Sequence, residues 1–134
     1  RDSKDKIEEN YIDLANNKME RDKILDIVEG EPKQFQLVLY SIMKLTEDLK
    51  NNLGGRFFTG DVYNYYQELC KRVRIDALTQ RRISDILAEI DMLGLINAKV
   101  ISKGRHGRTR DIKLSIPSNL FDKVEAIIRE SLSL

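Results

Sequence analysis

The chain has no tryptophan, two prolines, one histidine and one cysteine among its 134 residues. It has no apolar run approaching the roughly 18–20 residues that a membrane span requires. The lone Cys70 cannot form an internal disulfide, which points to a reducing cytoplasm. With His106 and Cys70 as the sole imidazole and thiol, a zinc site would have to lean on carboxylates, and no cluster has transition-metal spacing. A nucleophile triad could use only His106, which sits in a basic, glycine-rich stretch without apolar cover. Neither G-x-x-x-x-G-K-[ST] nor G-x-G-x-x-G occurs. These shortages argue against a catalyst. The opening Arg-Asp-Ser-Lys-Asp-Lys has no signal-peptide hydrophobic region. It also begins at Arg1 and not at an initiator methionine, as a piece cut from a longer protein would.

What is present is an ordinary soluble balance, 41% apolar and 34% charged. At this length roughly two thirds of the unfolded surface can be buried on folding, so a core forms without staples. The net charge of +1 hides an asymmetry. Residues 1–70 hold ten Lys/Arg against 14 Asp/Glu, whereas residues 71–110 hold ten against four. A basic block in an otherwise acidic chain is the expected footprint of a polyanion-binding face, although charge alone also fits a solvated basic surface.

Periodicity locates the elements. Residues 4–17 carry Ile7, Tyr11, Leu14 and Ala15 at helical spacing, and a second run with Ile24, Ile27 and Val28 ends at Gly30. Pro32 suits the first turn of a new helix, which shows a stripe of Phe35, Val38, Leu39, Ile42, Leu45 and Leu49. Asn51-Asn52-Leu53-Gly54-Gly55 reads as a loop. Thr59 is the expected N-cap of the next helix, with Asp61 favouring its first turn and Val62, Tyr66, Leu69 and Val73 facing inward. Thr79 is the expected cap of a helix from about Gln80 to Leu93, with Ile83, Ile86, Leu87 and Ile90 inward and Gly94 left-handed at its end. The period then changes from 3.6 to 2. Ile96, Ala98 and Val100 form one strand face, and Ile112, Leu114 and Ile116 another, so the two strands make a hairpin. After Pro117, Ser118 is the expected cap of a last helix burying Phe121, Val124, Ile127, Ile128 and Leu132. The fold class is mainly α with a small β-hairpin. It is a winged helix-turn-helix preceded by N-terminal helices and followed by a C-terminal helix.

In such a fold the third helix presents its N-terminal outward face to a DNA major groove. The inward positions leave Gln80, Arg81, Ser84, Asp85 and Ala88 pointing out. Gln pairs bidentately with adenine and Arg with guanine. Ser84 suits a base or a phosphate, Arg82 lies to the side at phosphate level, and Thr79 stands at the helix start, where free N–H groups favour an anion. Arg81 and Arg82 oppose the helix dipole at that end, an arrangement that suggests an external anion. The hairpin loop is sharper still. Lys103, Arg105, Arg108 and Arg110 lie within eight residues with Gly104, His106, Gly107 and Thr109 among them and no carboxylate. The glycines allow close backbone approach, and an Arg from such a wing can enter a minor groove. His106 reads as a polar or partly cationic contact at the tip. Cys70, Tyr63, Tyr65 and Tyr66 read first as core.

Three segments together resemble one family: Leu78-Thr79-Gln80-Arg81-Arg82-Ile83-Ser84-Asp85, Asp91-Met92-Leu93-Gly94-Leu95-Ile96 and Gly104-Arg105-His106-Gly107-Arg108-Thr109-Arg110. They look like the C-terminal winged-helix domain of the archaeal origin recognition and cell-division-control replication initiators. Gln36-Leu37-Val38-Leu39-Tyr40-Ser41-Ile42 and Thr59-Gly60-Asp61-Val62-Tyr63 match that domain's earlier helices, so the similarity covers about residues 32–116. The resemblance implies a division into residues 1–30, similar to the end of an ATPase lid domain, and a winged-helix DNA-binding domain over 31–134. It implies non-catalytic binding of double-stranded origin DNA by the recognition helix (Thr79, Gln80, Arg81, Arg82, Ser84, Asp85) and the wing (residues 103–110). Other initiator subunits or the replicative helicase would be further partners, no membrane is involved, and the chain would be a monomer in isolation, cytoplasmic and nucleoid-associated. No cofactor or metal is expected in this chain, since ATP and magnesium belong to the ATPase module that it lacks. His106 departs from the family pattern, where an aromatic residue often stands. A winged-helix transcription regulator, or a winged helix serving only as a protein-interaction module, would share the same fold.

Overall fold

The computed structural model describes residues 21–50, 56–102 and 108–134. The helix expected over 4–17, the loop 51–55 and the wing tip 103–107 lie outside the described residues. Helix α1 is helical over residues 21–30. It is followed by α2 (Lys33–Lys50), β1 (Phe57–Phe58), α3 (Thr59–Val73), α4 (Gln80–Met92), β2 (Ile96–Ser102), β3 (Arg108–Leu114) and α5 (Ser118–Leu132). This is the winged helix-turn-helix that the element order predicts.

Helix α2 is the hub. The expected one-sided stripe is too narrow, because Leu37, Tyr40 and Met43 are as buried as Phe35, Val38, Leu39 and Ile42. The reason is that α3, α4, α5 and β3 all pack on it, so residues 35–43 are buried all round. Two polar residues go in with it and stay hydrogen-bonded, as burial demands. Gln36 Nε2 donates to the Val28 carbonyl at 2.9 Å, and its Oε1 accepts from Ser131 Oγ at 2.6 Å. Ser41 Oγ donates back to the Leu37 carbonyl at 2.8 Å. At the far end Lys44 Nζ bridges Glu47 (3.2 Å) and Glu125 (2.8 Å), joining α2 to α5. Burial works against the Lys44 ammonium, but the hydrogen bonds to Glu125 and Glu47 outweigh it and raise its pKa.

The sheet is antiparallel in the order β1-β3-β2. The pairing Ile96↔Leu114, Ala98↔Ile112 and Val100↔Arg110 puts the even-numbered residues on one face. Ile96 and Ile112 are buried there against the helices. The two-residue β1 escapes periodicity, for which two residues are too few. Phe57 pairs with Ile112 and Phe58 with Asp111.

Two caps differ from expectation. Thr59 is the first residue of α3 and not its cap. Asp61 Oδ2 instead accepts from the Phe58 N–H at 2.8 Å, and the Thr59 hydroxyl is taken by β3. Ser118 likewise begins α5, with Pro117 at the cap position and no side-chain cap bond. Thr79 does cap α4, accepting from the Arg82 N–H at 3.3 Å. Gly94 is left-handed, with φ 79°. α5 buries Leu120 in addition to the expected Val124, Ile128 and Leu132, while Phe121 and Ile127 are half-buried.

Candidate nucleic-acid interface

The turn between α3 and α4 aims the recognition helix, and tyrosines hold it. Tyr66 is fully buried. Its hydroxyl accepts the Leu78 N–H at 2.8 Å and donates to Gln34 Oε1 at 2.5 Å. Tyr63 stacks on it with ring centroids 6.1 Å apart and donates to the Leu78 carbonyl at 3.3 Å. Gln34 Nε2 closes the clamp on the Asp76 carbonyl at 3.0 Å. Both peptide groups of Leu78 are therefore held just before Thr79. Burial pushes the Tyr66 hydroxyl up to about 12, and it pushes the Cys70 thiol up as well. Cys70 is thus an inert core residue.

A concavity of about 540 Å³ opens between α4 and the root of the wing. Gln80, Arg81, Ser84, Arg108, Thr109 and Arg110 line it with Thr59 and Val100. Three arginines meet there with no carboxylate on the wall. The recognition helix and the wing thus share one cationic surface, although the nearest polar lining residues across the two, Ser84 and Arg108, are 24 residues apart in sequence. Gln80, Arg81 and Arg108 are exposed, and Ser84, Thr109 and Arg110 are half-buried. Neither Arg81, Arg82 nor Arg108 is paired with a carboxylate among the described residues. The carboxylate next in sequence, Asp111, falls on the opposite face of β3 by strand alternation. There its Oδ2 is held by Arg56, at 2.7 Å from Nη2 and 3.1 Å from Nε, so it does not quench the concavity.

Other expected residues sit around this centre. Arg82 and Asp85 are exposed on α4 outside the concavity, and the Thr79 hydroxyl accepts the Arg82 N–H as the cap of α4. Lys103, Gly104, Arg105, His106 and Gly107 lie outside the described residues. Arg110 is tied inward, with Nη1 donating to the Ser84 carbonyl at 3.1 Å and its backbone N–H donating to Thr59 Oγ1 at 3.2 Å. Thr59 and Val100 are the wall residues that sequence reasoning missed. Val100 is 54% exposed and supplies an apolar wall. The hairpin register would have placed it opposite Arg110, but a tertiary bond such as that of Thr59 leaves no sequence signal.

Residues 26–124 match the family model described as CDC6, C terminal winged helix domain. The chain belongs to this family. Among curated relatives it is 41% identical over 128 residues to ORC1-type DNA replication protein 7 of Halobacterium salinarum, covering 96% of this chain and 23% of that protein. It is 44% identical over 118 residues to the ORC1-type DNA replication protein of Pyrococcus abyssi, covering 87% and 27% respectively. The chain therefore spans about a quarter of the length of these relatives, and what it spans is the winged helix. In structure it resembles the Aeropyrum pernix ORC1 protein, solved in complex with DNA, with a TM-score of 0.75 at 35% identity, covering 90% of this chain and 30% of that one. The fold also matches Cdc6p of Pyrobaculum aerophilum, with a TM-score of 0.64 at 15% identity, over 81% of this chain and 26% of that one. No helix among the described residues is long and apolar enough to cross a membrane.

Proposed function

We propose that this chain binds double-stranded DNA at replication origins, without catalysis, as the DNA-anchoring part of a longer initiator. The observation that carries this reading is the concavity where Arg81 and Arg108 converge with Gln80 and Ser84 and no carboxylate. The resemblance to an ORC1 protein solved with DNA supports it. In this docking the first turns of α4 enter a major groove. Gln80 reads adenine, Arg81 reads guanine through its N7 and O6, and Ser84 meets a base or phosphate. Arg82 and Thr79 face phosphates near the helix start, and Asp85 borders the base-reading face. Arg108 and Thr109, with Lys103, Gly104, Arg105, His106 and Gly107, follow the adjacent backbone and minor groove. Residues 1–30 correspond to the end of an ATPase lid domain, and ATP and magnesium act in the ATPase module. Further initiator subunits or the helicase meet the assembled protein.

Fluorescence anisotropy on duplexes across a salt series tests the reading. Neutralising about five phosphates gives a slope of log K against log salt near −4 to −5. Footprinting on a genomic fragment library then gives the site and its symmetry. No binding to any duplex at low salt overturns the reading in favour of a protein-interaction module. A dimer covering two half-sites overturns it in favour of a transcription regulator.

A further inference from the structure

Arg110 differs from the other cations of this face. It engages three elements at once: Thr59 at the start of α3 through its backbone N–H, the Ser84 carbonyl of α4 through Nη1, and Val100 of β2 as register partner. No side-chain bond is made by Arg81, Arg82 or Arg108 among the described residues. The strand ends beyond Arg110 leave the cover of the helices, since Ser102 and Arg108 are exposed and Val100 is mostly so. A two-stranded ribbon at that point is marginally stable by itself, so its angle to α4 depends on whatever ties it down.

We propose that Arg110 is a positioning residue, a brace that locks the wing to the recognition helix so that both meet DNA as one rigid surface. Strand alternation puts Arg110 on the same side as Ile112, which is the side where α4 lies. The guanidinium fork spans the gap to a main-chain acceptor, and that acceptor cannot rotate away because it belongs to a helix. The consequence for DNA rests on the function proposed above, whereas the brace is a property of the free protein.

Amide hydrogen exchange on the free chain tests it without DNA. Arg110→Met keeps the aliphatic stem and the backbone N–H to Thr59 and removes the guanidinium donors, including the one to the Ser84 carbonyl. Exchange at position 110 and at residues 100–102 is expected to speed up by about tenfold or more, while core amides such as those of Val62 and Ile128 keep their rates. Unchanged exchange in the wing strands overturns the brace. Should Arg110→Met fail to fold, Thr59→Val removes only the acceptor of the Arg110 amide, and the same local rise is expected at position 110. With duplex DNA, Arg110→Met and Arg108→Ala each lower affinity about tenfold, and the double variant falls little further than the worse single change. Additive losses of about a hundredfold assign Arg110 a contact of its own and overturn the inference. If the wild-type chain binds no duplex, the proposed function fails and the exchange result still decides the brace.

Discussion

Tyr66→Phe removes one oxygen from the clamp that aims the recognition helix. The ring is fully buried and stays stacked on Tyr63, so no cavity follows the change. The Leu78 N–H loses its acceptor at 2.8 Å, and Gln34 Oε1 loses its donor at 2.5 Å. Leaving a covered donor without a partner costs about 1–3 kcal/mol. Gln34 is half-exposed and recovers a water, so its share is small. The expected destabilisation is about 2 kcal/mol, and a domain of this size then melts about 6–10 °C lower. Urea unfolding followed by circular dichroism measures it, with the slope on denaturant unchanged. A pH series isolates the same hydroxyl. Its pKa of about 12 in the folded chain lies above the roughly 10 of a free tyrosine. Its stabilising contribution is therefore complete below about pH 10 and disappears as pH rises through about 12. Other groups titrate in that window, so the quantity to read is the difference between wild type and Tyr66→Phe, which narrows as pH rises. A variant within about 0.5 kcal/mol of wild type at pH 7, or a difference independent of pH, would refute the clamp.

Arg81→Ala should relax base preference by about 1–3 kcal/mol at one position in a competition assay, leaving other positions unchanged. Arg108→Ala should flatten the salt slope by about one unit without changing base preference. Thr79→Ala removes the cap that holds the Arg82 N–H and should destabilise the fold by about 1 kcal/mol in a thermal melt. Gly94→Ala should lose about 1 kcal/mol through its left-handed backbone alone, because nothing lies within 4 Å of the added methyl; a neutral result would show that the backbone there relaxes.

The element order and the recognition helix were legible because they rest on local rules. The Thr79 cap, the left-handed Gly94 and the change of period at Ile96 each depend on a few neighbouring residues. The buried breadth of α2 was not legible, because a segment enclosed on every side, as residues 35–43 are, shows its solvent exclusion only once its partners are known. The Thr59 and Ser118 caps were misplaced by one residue for related reasons. Asp61 competes for the Phe58 N–H, while the Thr59 hydroxyl bonds to a strand 51 residues away, and Pro117 fixes the extended residue before α5. In the concavity, helical phase supplied Gln80, Arg81 and Ser84, and the run of cations read as the hairpin loop supplied Arg108, which the structure places at the start of β3. That Asp111 turns away to Arg56 also follows from phase, although the Arg56 partner does not.

Only residues 93–95 separate the recognition helix from the first strand of the wing. α4 ends at Met92 and β2 begins at Ile96. Within that joint the Gly94 N–H donates to the Asp91 carbonyl, the Leu95 N–H to that of Ile90, and the Ser115 N–H to that of Leu95. A single residue inserted there would invert the strand, sending Ile96 and Ala98 outward and carrying the wing's cations to the reverse side. Variation in target preference therefore has to arise by exchanging side chains on a joint of constant length, since lengthening it would separate the groove-reading helix from its wing.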